Sequence, residues 1–468
     1  MTRRRRSLLG LGVGLGIGLG GCALGPDYER PELDLPVAYV QAVEEGESLA
    51  NLPWWDLFQD PQLQSLIRVA LEENQDLGIA AARIDEFRAV LGVTRAGQYP
   101  SLDLSATGGR TRPSENVFPG GLAGETVDNY RLSADVFFEV DLFGRLRRAT
   151  EAARGDLLAT EEARRSLTIS LVASVASNYM LLRDLDAQLE IARRTEAARR
   201  DTLGIIGARF DRGTVPRLDL NQAEIELAVA TAAVAAAERA VAQTEHALSL
   251  LLGRNPGPIV RGLPLQQQVV PPSVPAGLPS ELLQRRPDVL AAEAALAAQT
   301  ARIGVAEAAR WPSLSLTGAL GFESSELSAL TASGSDFWSV GGGLLAPVFN
   351  AGRNRSRVEI EQARAAQALL TYEQAVQRAF AEVEDALVAV RTYRDEHAAR
   401  TRQVEAARSA ARLSRARYDG GVTSYLEVLD SDRSLFSAEL AETQTLRQYL
   451  DAVIRLYKAL GGGWSSAG

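Results

Sequence analysis

The stretch PSLSLTGALGF, Pro312 to Phe322, decides how this chain is read. Leu314, Leu316, Gly318, Leu320 and Phe322 fall on one face of an extended segment, while Ser313, Ser315, Thr317 and Ala319 fall on the other. That period of two is the signature of a strand with one apolar and one polar face. Three more segments carry it. In NYRLSADVFFEVDLF, Tyr130, Leu132, Ala134, Val136, Phe138, Val140 and Leu142 alternate with Arg131, Ser133, Asp135, Glu139 and Asp141. Leu102, Leu104 and Ala106 alternate with Ser101, Asp103, Ser105 and Thr107, and Trp338, Val340, Gly342, Leu344 and Ala346 complete the set. Each run has the roughly 10-residue length that a tilted strand needs to cross a bilayer, and Tyr99, Trp311, Phe337 and Trp338 flank the runs as interfacial aromatics do.

Working outward, the sequence repeats itself. RFDRGTVPRLDL at Arg209 to Leu220 matches RYDGGVTSYLEV at Arg417 to Val428, an offset of 208 that also pairs Phe143 to Arg145 with Ala351 to Arg353 and Leu251 to Gly253 with Ala459 to Gly461. Earlier the offset is 212, aligning QYPSLDLS at Gln98 to Ser105 with RWPSLSLT at Arg310 to Thr317. The four-residue difference therefore lies between the Pro and the Gly-Arg, where loops are expected to differ.

Each copy has the same internal order. A first helix is expected near Gln62 to Gly97 and near Pro279 to Arg310, then two strands, then a long helix over Leu146 to about Arg212 and Asn354 to about Gly420. At 1.5 Å per residue such helices run roughly 100 Å. A tight turn at Gly213 or Gly421 returns a second helix, which closes on Leu-Gly. AVATAAVAAAERAVA, Ala228 to Ala242, lets neighbouring helices approach closely. Taken alone, these helices would suit a soluble coiled coil that tethers the cell envelope. The alternating strands argue instead for a membrane sheet.

The division expected from sequence is a targeting segment over 1–21, an anchor and connecting segment over 22–61, a first repeat over 62–257, a linker over 258–279, a second repeat over 280–461 and a tail over 462–468. The targeting segment has Arg3 to Arg6 followed by about 15 apolar and Gly residues, too short for a helical span. It ends in LGGC, a lipobox pattern that makes Cys22 the lipid acceptor. Ala23 follows it, and in bacterial lipoproteins such a residue resembles the signal for the outer membrane. Cys22 is the sole cysteine, which excludes an intrachain disulfide and a thiolate-built metal site. No cofactor is implied beyond the covalent lipid. Removal of residues 1–21 takes the formal charge from −9 to −13, and no basic region of the kind nucleic acid requires remains. No later stretch is expected to span a bilayer as a helix. Four strands cannot close a barrel, so several chains must share one, and three would supply twelve.

No catalytic signature is present. The two histidines, His246 and His397, sit in different helices without metal-ligand spacing, and Walker A, GxSxG and HExxH patterns are absent. The protein is read as a non-enzyme whose transport energy comes from a partner.

WWDLFQDPQLQSLIRVALEENQDLGIAAARI (Trp54 to Ile84), RRPDVLAAEAALAAQTARIGVAEAARWPSLSLTGALG (Arg285 to Gly321), FEVDLFGR (Phe138 to Arg145) and LYKALGGGW (Leu456 to Trp464) resemble the TolC-type outer-membrane efflux factors, in the lipoprotein branch that includes the OprM and NodT groups. The resemblance covers nearly the whole mature chain. It implies a mixed α and β membrane protein: a homotrimer with a twelve-stranded outer-membrane β-barrel continued by a twelve-helix periplasmic α-barrel. It implies further a lipid-anchored channel in a Gram-negative outer membrane, which receives small molecules from an inner-membrane pump through a periplasmic adaptor. Passage of secreted proteins and a purely structural envelope role remain as alternative functions.

The same resemblance places the periplasmic gate at the first turns of the returning helices, on Asp219, Leu426, Glu427 and Asp430, with Gln222 as the first-repeat counterpart of Asp430. Arg417, Tyr418, Thr423 and Arg433 are the candidates for contacts that hold the tip closed, and Gly213 and Gly421 for the tip turns. Plainer readings stand beside these. Ser424 to Glu427 matches a helix capping box, an acid in a first helical turn is favoured by the dipole, and Asp430 can pair with Arg433 three residues on.

Overall fold

In the computed structural model, the described residues are 23–33, 36, 39–40, 53, 57–114, 116, 125–268 and 282–462. Cys22 and the targeting segment lie outside them, as do most of the tail and part of the expected linker.

In chain order the elements are α1 (Pro61–Glu73), α2 (Gln75–Ala96), β1 (Ser101–Thr111), β2 (Val127–Val140), α3 (Arg145–Asp211), α4 (Arg217–Leu251), α5 (Leu282–Arg285), α6 (Pro287–Ala308), β3 (Ser313–Ser324), β4 (Asp336–Leu345), α7 (Arg353–Asp419) and α8 (Tyr425–Ala459). The repeat holds to the residue. α3 and α7 have 67 residues each and α4 and α8 have 35, at an offset of 208, while α2 and α6 have 22 residues each at an offset of 212. The offset changes across the strands and their loops, where the sequence placed it.

The first helix of each copy, expected to be continuous, is broken. α1 ends at Asn74, whose Oδ1 accepts the Leu77 N–H at 3.2 Å and whose Nδ2 donates to the Leu251 carbonyl at 3.0 Å. At the matching position of the second copy, Arg286 separates α5 from α6, and its Nη1 donates to the Ala459 carbonyl at 3.0 Å. Leu251 and Ala459 are themselves repeat partners, the last residues of α4 and α8. Each break thus supplies a donor to a helix C-terminus that lacks an intrahelical one.

Packing divides the chain into two units that cut across the repeats. One comprises 1–31, 84–160 and 292–372, the other 32–83, 161–291 and 373–468.

The first unit holds an antiparallel sheet in the order β1-β2-β3-β4. Register places Leu104 opposite Ala134, Ala134 opposite Leu320 and Leu320 opposite Trp338, so the apolar positions form one continuous face. That face is bare: Leu104 is 83 % exposed and Val340 81 %. The opposite face carries a polar network. Ser105 Oγ and Ser133 Oγ donate to Asp135 Oδ2 at 2.7 and 2.9 Å, and Arg131 lies over the Phe337 ring at 4.4 Å. An apolar face so exposed is unsuited to water and suited to lipid.

Residues 23–31 form a strap on this unit. The Leu24 N–H donates to Phe143 O at 3.1 Å, Arg148 Nη2 to Asp27 at 2.6 Å, and Arg30 holds Glu293 through two nitrogens at 2.7 and 2.6 Å. Gly25, at φ +90°, lets the strap approach α6 so closely that a Cβ there would stand 2.4 Å from Gly304 Cα. Contrary to the sequence expectation, α6 is long and apolar enough to cross a membrane by length and composition. It nevertheless carries Glu293, paired with Arg30, and Arg302, paired with Asp156, so its polar positions are spent on protein contacts.

The second unit has the main core, in which Leu63, Ile67, Val175, Tyr179, Leu182, Leu248, Val383 and Leu456 are fully or almost fully buried. Its polar centre is Asp60, the N-cap of α1, 1 % exposed. Asp60 accepts from the Gln62 N–H at 2.8 Å, and from Tyr179 Oη, the Leu263 N–H and Gln268 Nε2, each at 2.9 Å. Burial opposes its ionisation, but these donors outweigh it and hold the carboxyl below its ordinary range. The start of the expected linker is therefore structured: Ile259 and Leu265 are buried, with a 3-10 turn at Leu265–Gln267.

Candidate functional site

The two turns that return the long helices share one geometry. In the first, the Gly213 N–H donates to Phe210 O at 2.8 Å and the Thr214 N–H to Arg209 O at 3.0 Å. In the second, the Gly421 N–H donates to Tyr418 O and the Val422 N–H to Arg417 O, both at 2.9 Å. These nested bonds satisfy the last carbonyls of α3 and α7 and require a left-handed residue between them. Gly213 at φ +68° and Gly421 at φ +71° supply it. No atom lies within 4 Å of a Cβ added at either position, so the backbone angle selects glycine here, not the space.

Beyond the turns the expected site residues separate into distinct roles. Glu427 is bound within its own hairpin: Arg417 Nε lies 3.0 Å from its Oε1, and Thr423 Oγ1 donates to its Oε2. Thr423 and Arg417 therefore act on Glu427, as contacts inside α7 and α8 and the turn between them. The capping box does not form, since the Ser424 side chain makes no cap bond and the Glu427 N–H meets the Ser424 carbonyl instead. Asp430 is exposed and has no hydrogen-bond or ion-pair partner among the described residues. Its suggested pairing with Arg433 is not made, because Arg433 Nε donates to Glu226 Oε1 at 2.6 Å.

Asp219 is half-buried, its carboxyl without a partner among the described residues, and burial pushes that carboxyl above the ordinary range. Leu426 is 59 % exposed and its repeat partner Leu218 63 %. Tyr418 makes no interhelical hydrogen bond. Its ring packs on Tyr425, centroids 5.6 Å apart, and Arg209 lies over it at 5.2 Å. Burial pushes the Tyr425 phenol up to about 12. Tyr418 packs against a small core of Ile206, Ala223, Tyr425, Val428 and Leu429.

Above that core lies a charge network that the sequence reading missed. Arg199, on α3, reaches Glu226 on α4 at 3.5 Å and Asp432 on α8 at 2.8 Å. Arg415, on α7, adds a contact to Asp432 at 3.3 Å and donates to Thr202 Oγ1 at the same distance. With Arg433 on Glu226, three guanidinium groups and two carboxylates tie all four long helices together. One cue was available. Ala223, Glu226 and Ala230 lie on the buried stripe of α4, and an acid on such a stripe demands a cation. What supplies the cation could not be read, because the repeat partners of Arg199 and Arg415 are Ala407 and Gly207.

Of the histidines, His397 stands 3.2 Å from Glu442. Among the described residues, no group of three or more His, Cys, Asp or Glu side chains could hold a metal ion.

The sequence model of the family described as Outer membrane efflux protein matches residues 66–254 and 278–462. The chain is 39 % identical over 455 residues to the solvent efflux pump outer membrane protein SrpC of Pseudomonas putida, covering 95 % of this chain and 96 % of that one. It is 36 % identical over 456 residues to the cation efflux system protein CusC of Escherichia coli K12, with coverage of 95 % and 96 %. Among solved structures, the open state of the Neisseria gonorrhoeae MtrE outer membrane channel superimposes with a TM-score of 0.86 at 34 % identity, over 94 % of this chain and 98 % of that one. A CusC structure gives 0.83 at 34 %, over 94 % and 100 %.

Proposed function

The chain belongs to the outer membrane efflux protein family, and from that premise we propose that it is the exit duct of a tripartite efflux system. It passes small molecules from an inner-membrane pump and a periplasmic adaptor through the outer membrane. The observation that carries this reading is the sheet. Its apolar face is exposed along all four strands, its polar face is hydrogen-bonded, and β1 and β4 each keep one edge without a partner strand among the described residues. Open edges are not tolerated in lipid, so the sheet closes only with further copies of itself. Three copies, the number the family resemblance implies, make a twelve-stranded barrel, and their long helices make a twelve-helix tunnel.

At comparable identity, one relative is named for solvent efflux and another for cation efflux. A duct compatible with both supports a reading in which the pump chooses the cargo. Lipid on Cys22 anchors the chain in the outer membrane beside the barrel, and Asp219, Leu426, Glu427 and Asp430 line the periplasmic mouth.

Planar-bilayer recording on purified protein tests the duct. Discrete conductance steps are expected from a particle whose protein mass, by light scattering after detergent correction, equals three chains. A particle that never conducts overturns the duct in favour of an envelope tether.

A further inference from the structure

In the first unit, where the sheet meets the helices, the end of α2 and the first turns of α3 enclose an open cleft of about 520 Å³, lined by Arg95, Gln98, Tyr99, Arg147, Glu151 and Arg154. The corner is braced. Gln98 Nε2 donates to Thr150 Oγ1 and to the Leu146 carbonyl, which ties the end of α2 to α3. Arg147 is held by Asp141, which accepts both its backbone N–H, at 2.9 Å, and its Nε, at 3.3 Å.

Charge around the cleft is neutralised with two exceptions. Arg145 holds Glu139 at 2.7 Å and Arg148 holds Asp27 at 2.6 Å. Glu151, the acid of the cleft, accepts from Arg148 Nη1 at 2.8 Å. Arg95 and Arg154 are exposed and have no hydrogen-bond or ion-pair partner among the described residues. Their counterparts in the second copy are Glu307 and Gln362, while Arg310 and Val358 stand for Gln98 and Thr150. The two unpaired cations therefore belong to this cleft and not to the repeated scaffold.

The cleft lies at the border of the apolar band. β1 begins at Ser101, two residues beyond Tyr99, and its first apolar position, Leu102, is 69 % exposed. Tyr99 is 59 % exposed, and its repeat partner Trp311 is exposed as well. Exposed Tyr and Trp at the edge of an apolar band mark the boundary between hydrocarbon and water. Ala23, the residue after Cys22, packs on Gly144 so closely that a Cβ there would stand 2.6 Å from Ala23 Cα, and Gly144 is three residues before Arg147. A lipid on Cys22 and the cleft would thus meet the bilayer at one level, that of the periplasmic head groups.

We propose that the cleft binds the phosphate of an anionic phospholipid of the periplasmic leaflet, with Arg95 and Arg154 as the guanidinium groups that take its oxygens. Each presents a planar fork of N–H donors that fits a phosphodiester and that no carboxylate of the described chain occupies. Two uncompensated positive charges favour a head group of net charge −1, such as phosphatidylglycerol, over a zwitterionic one. Tyr99 stands on the hydrocarbon side, where its ring lies against the glycerol and the first methylenes. The site occurs once per chain. It rests on the reading of the sheet as membrane-spanning and goes beyond the duct, which needs no particular lipid.

Native mass spectrometry of the full-length protein in detergent, titrated with phosphatidylglycerol or phosphatidylcholine, tests the assignment. Wild type is expected to retain up to one phosphatidylglycerol per chain and to prefer it over phosphatidylcholine. Arg95→Gln and Arg154→Gln should each weaken that binding about fivefold, and the double variant should abolish the preference. Arg310→Gln, an exposed arginine at the matching corner of the second copy, should leave it intact. Particle mass and planar-bilayer conductance are expected to be unchanged in all of these variants, which shows that the fold is preserved. Equal binding of the two lipids by a conducting wild type overturns the site and leaves the duct standing, as does an equal loss in Arg310→Gln, which would reduce the effect to general surface charge. Displacement of the lipid by inorganic phosphate at equal concentration assigns the cleft to a free anion instead. A wild type that selects phosphatidylglycerol through Arg95 and Arg154 but never conducts keeps the site and removes the duct.

Discussion

Arg199 and Asp432 stand 2.8 Å apart, both largely shielded from solvent, and they belong to different copies of the repeat. Arg199 also faces Glu226, so one guanidinium serves two carboxylates from two helices. Arg199→Ala leaves both acids with only their partly exposed partners, Arg415 and Arg433. A loss of about 3 kcal/mol is expected, as for other broken buried pairs. Helical unfolding followed by circular dichroism measures it, and basal single-channel conductance is expected to rise as the tip loosens. An unchanged midpoint and an unchanged conductance would remove the network from the tip's stability.

Glu427 makes the opposite case. Its pair with Arg417 is 41 % and 55 % exposed, so solvent screening holds its worth to under about 1 kcal/mol. Its importance is predicted to lie in charge at the mouth. Glu427→Ala with Asp430→Ala should weaken block by multivalent cations added from the periplasmic side while barely moving stability. Unaltered block in that double variant takes both residues out of the gate.

Asp219 carries a sign that can be checked. Burial raises its folded carboxyl above the unfolded one, so the fold is favoured while the group is protonated and loses that advantage as pH rises through the folded value. Asp219→Asn is therefore expected to raise the melting temperature at pH 7 and to match wild type below about pH 4. An equal shift at both pH values contradicts the burial account.

Asp60 has the reverse linkage. Its lowered folded value stabilises the protein above the unfolded value and withdraws that support as pH falls through the folded one. Asp60→Ala leaves the Tyr179 hydroxyl and the Leu263 N–H without their acceptor and Gln268 Nε2 with the Leu263 carbonyl alone, at a cost of about 3 kcal/mol. Urea titration at pH 7 and at acid pH reads it, with the difference from wild type expected to shrink in acid.

Cys22 is predicted to take lipid. Metabolic labelling with a fatty acid should mark the wild-type chain and leave Cys22→Ser unmarked, while the strands still insert. Unlabelled wild type would sink the lipobox reading.

Local pattern and repetition in the sequence determined the architecture. The period of two in the four strands is a property of neighbouring residues, and the offset of 208 carries both long helices, both turns and both glycines without any knowledge of contacts. Roles that depend on a distant partner were out of reach. Sequence proximity suggested that Arg433 serves Asp430, whereas packing gives it Glu226, 207 residues away. The capping pattern at Ser424 was overridden by Thr423 and Arg417, which hold the same carboxylate from outside the helix. Asn74 and Arg286 share no chemistry that a repeat search could align, yet each donates to the end of its own returning helix. Periodicity is written along the chain and survives translation into sequence. Which charge meets which across a helix seam is chosen by burial, where each unpaired group is costly and the partner that arrives in three dimensions wins.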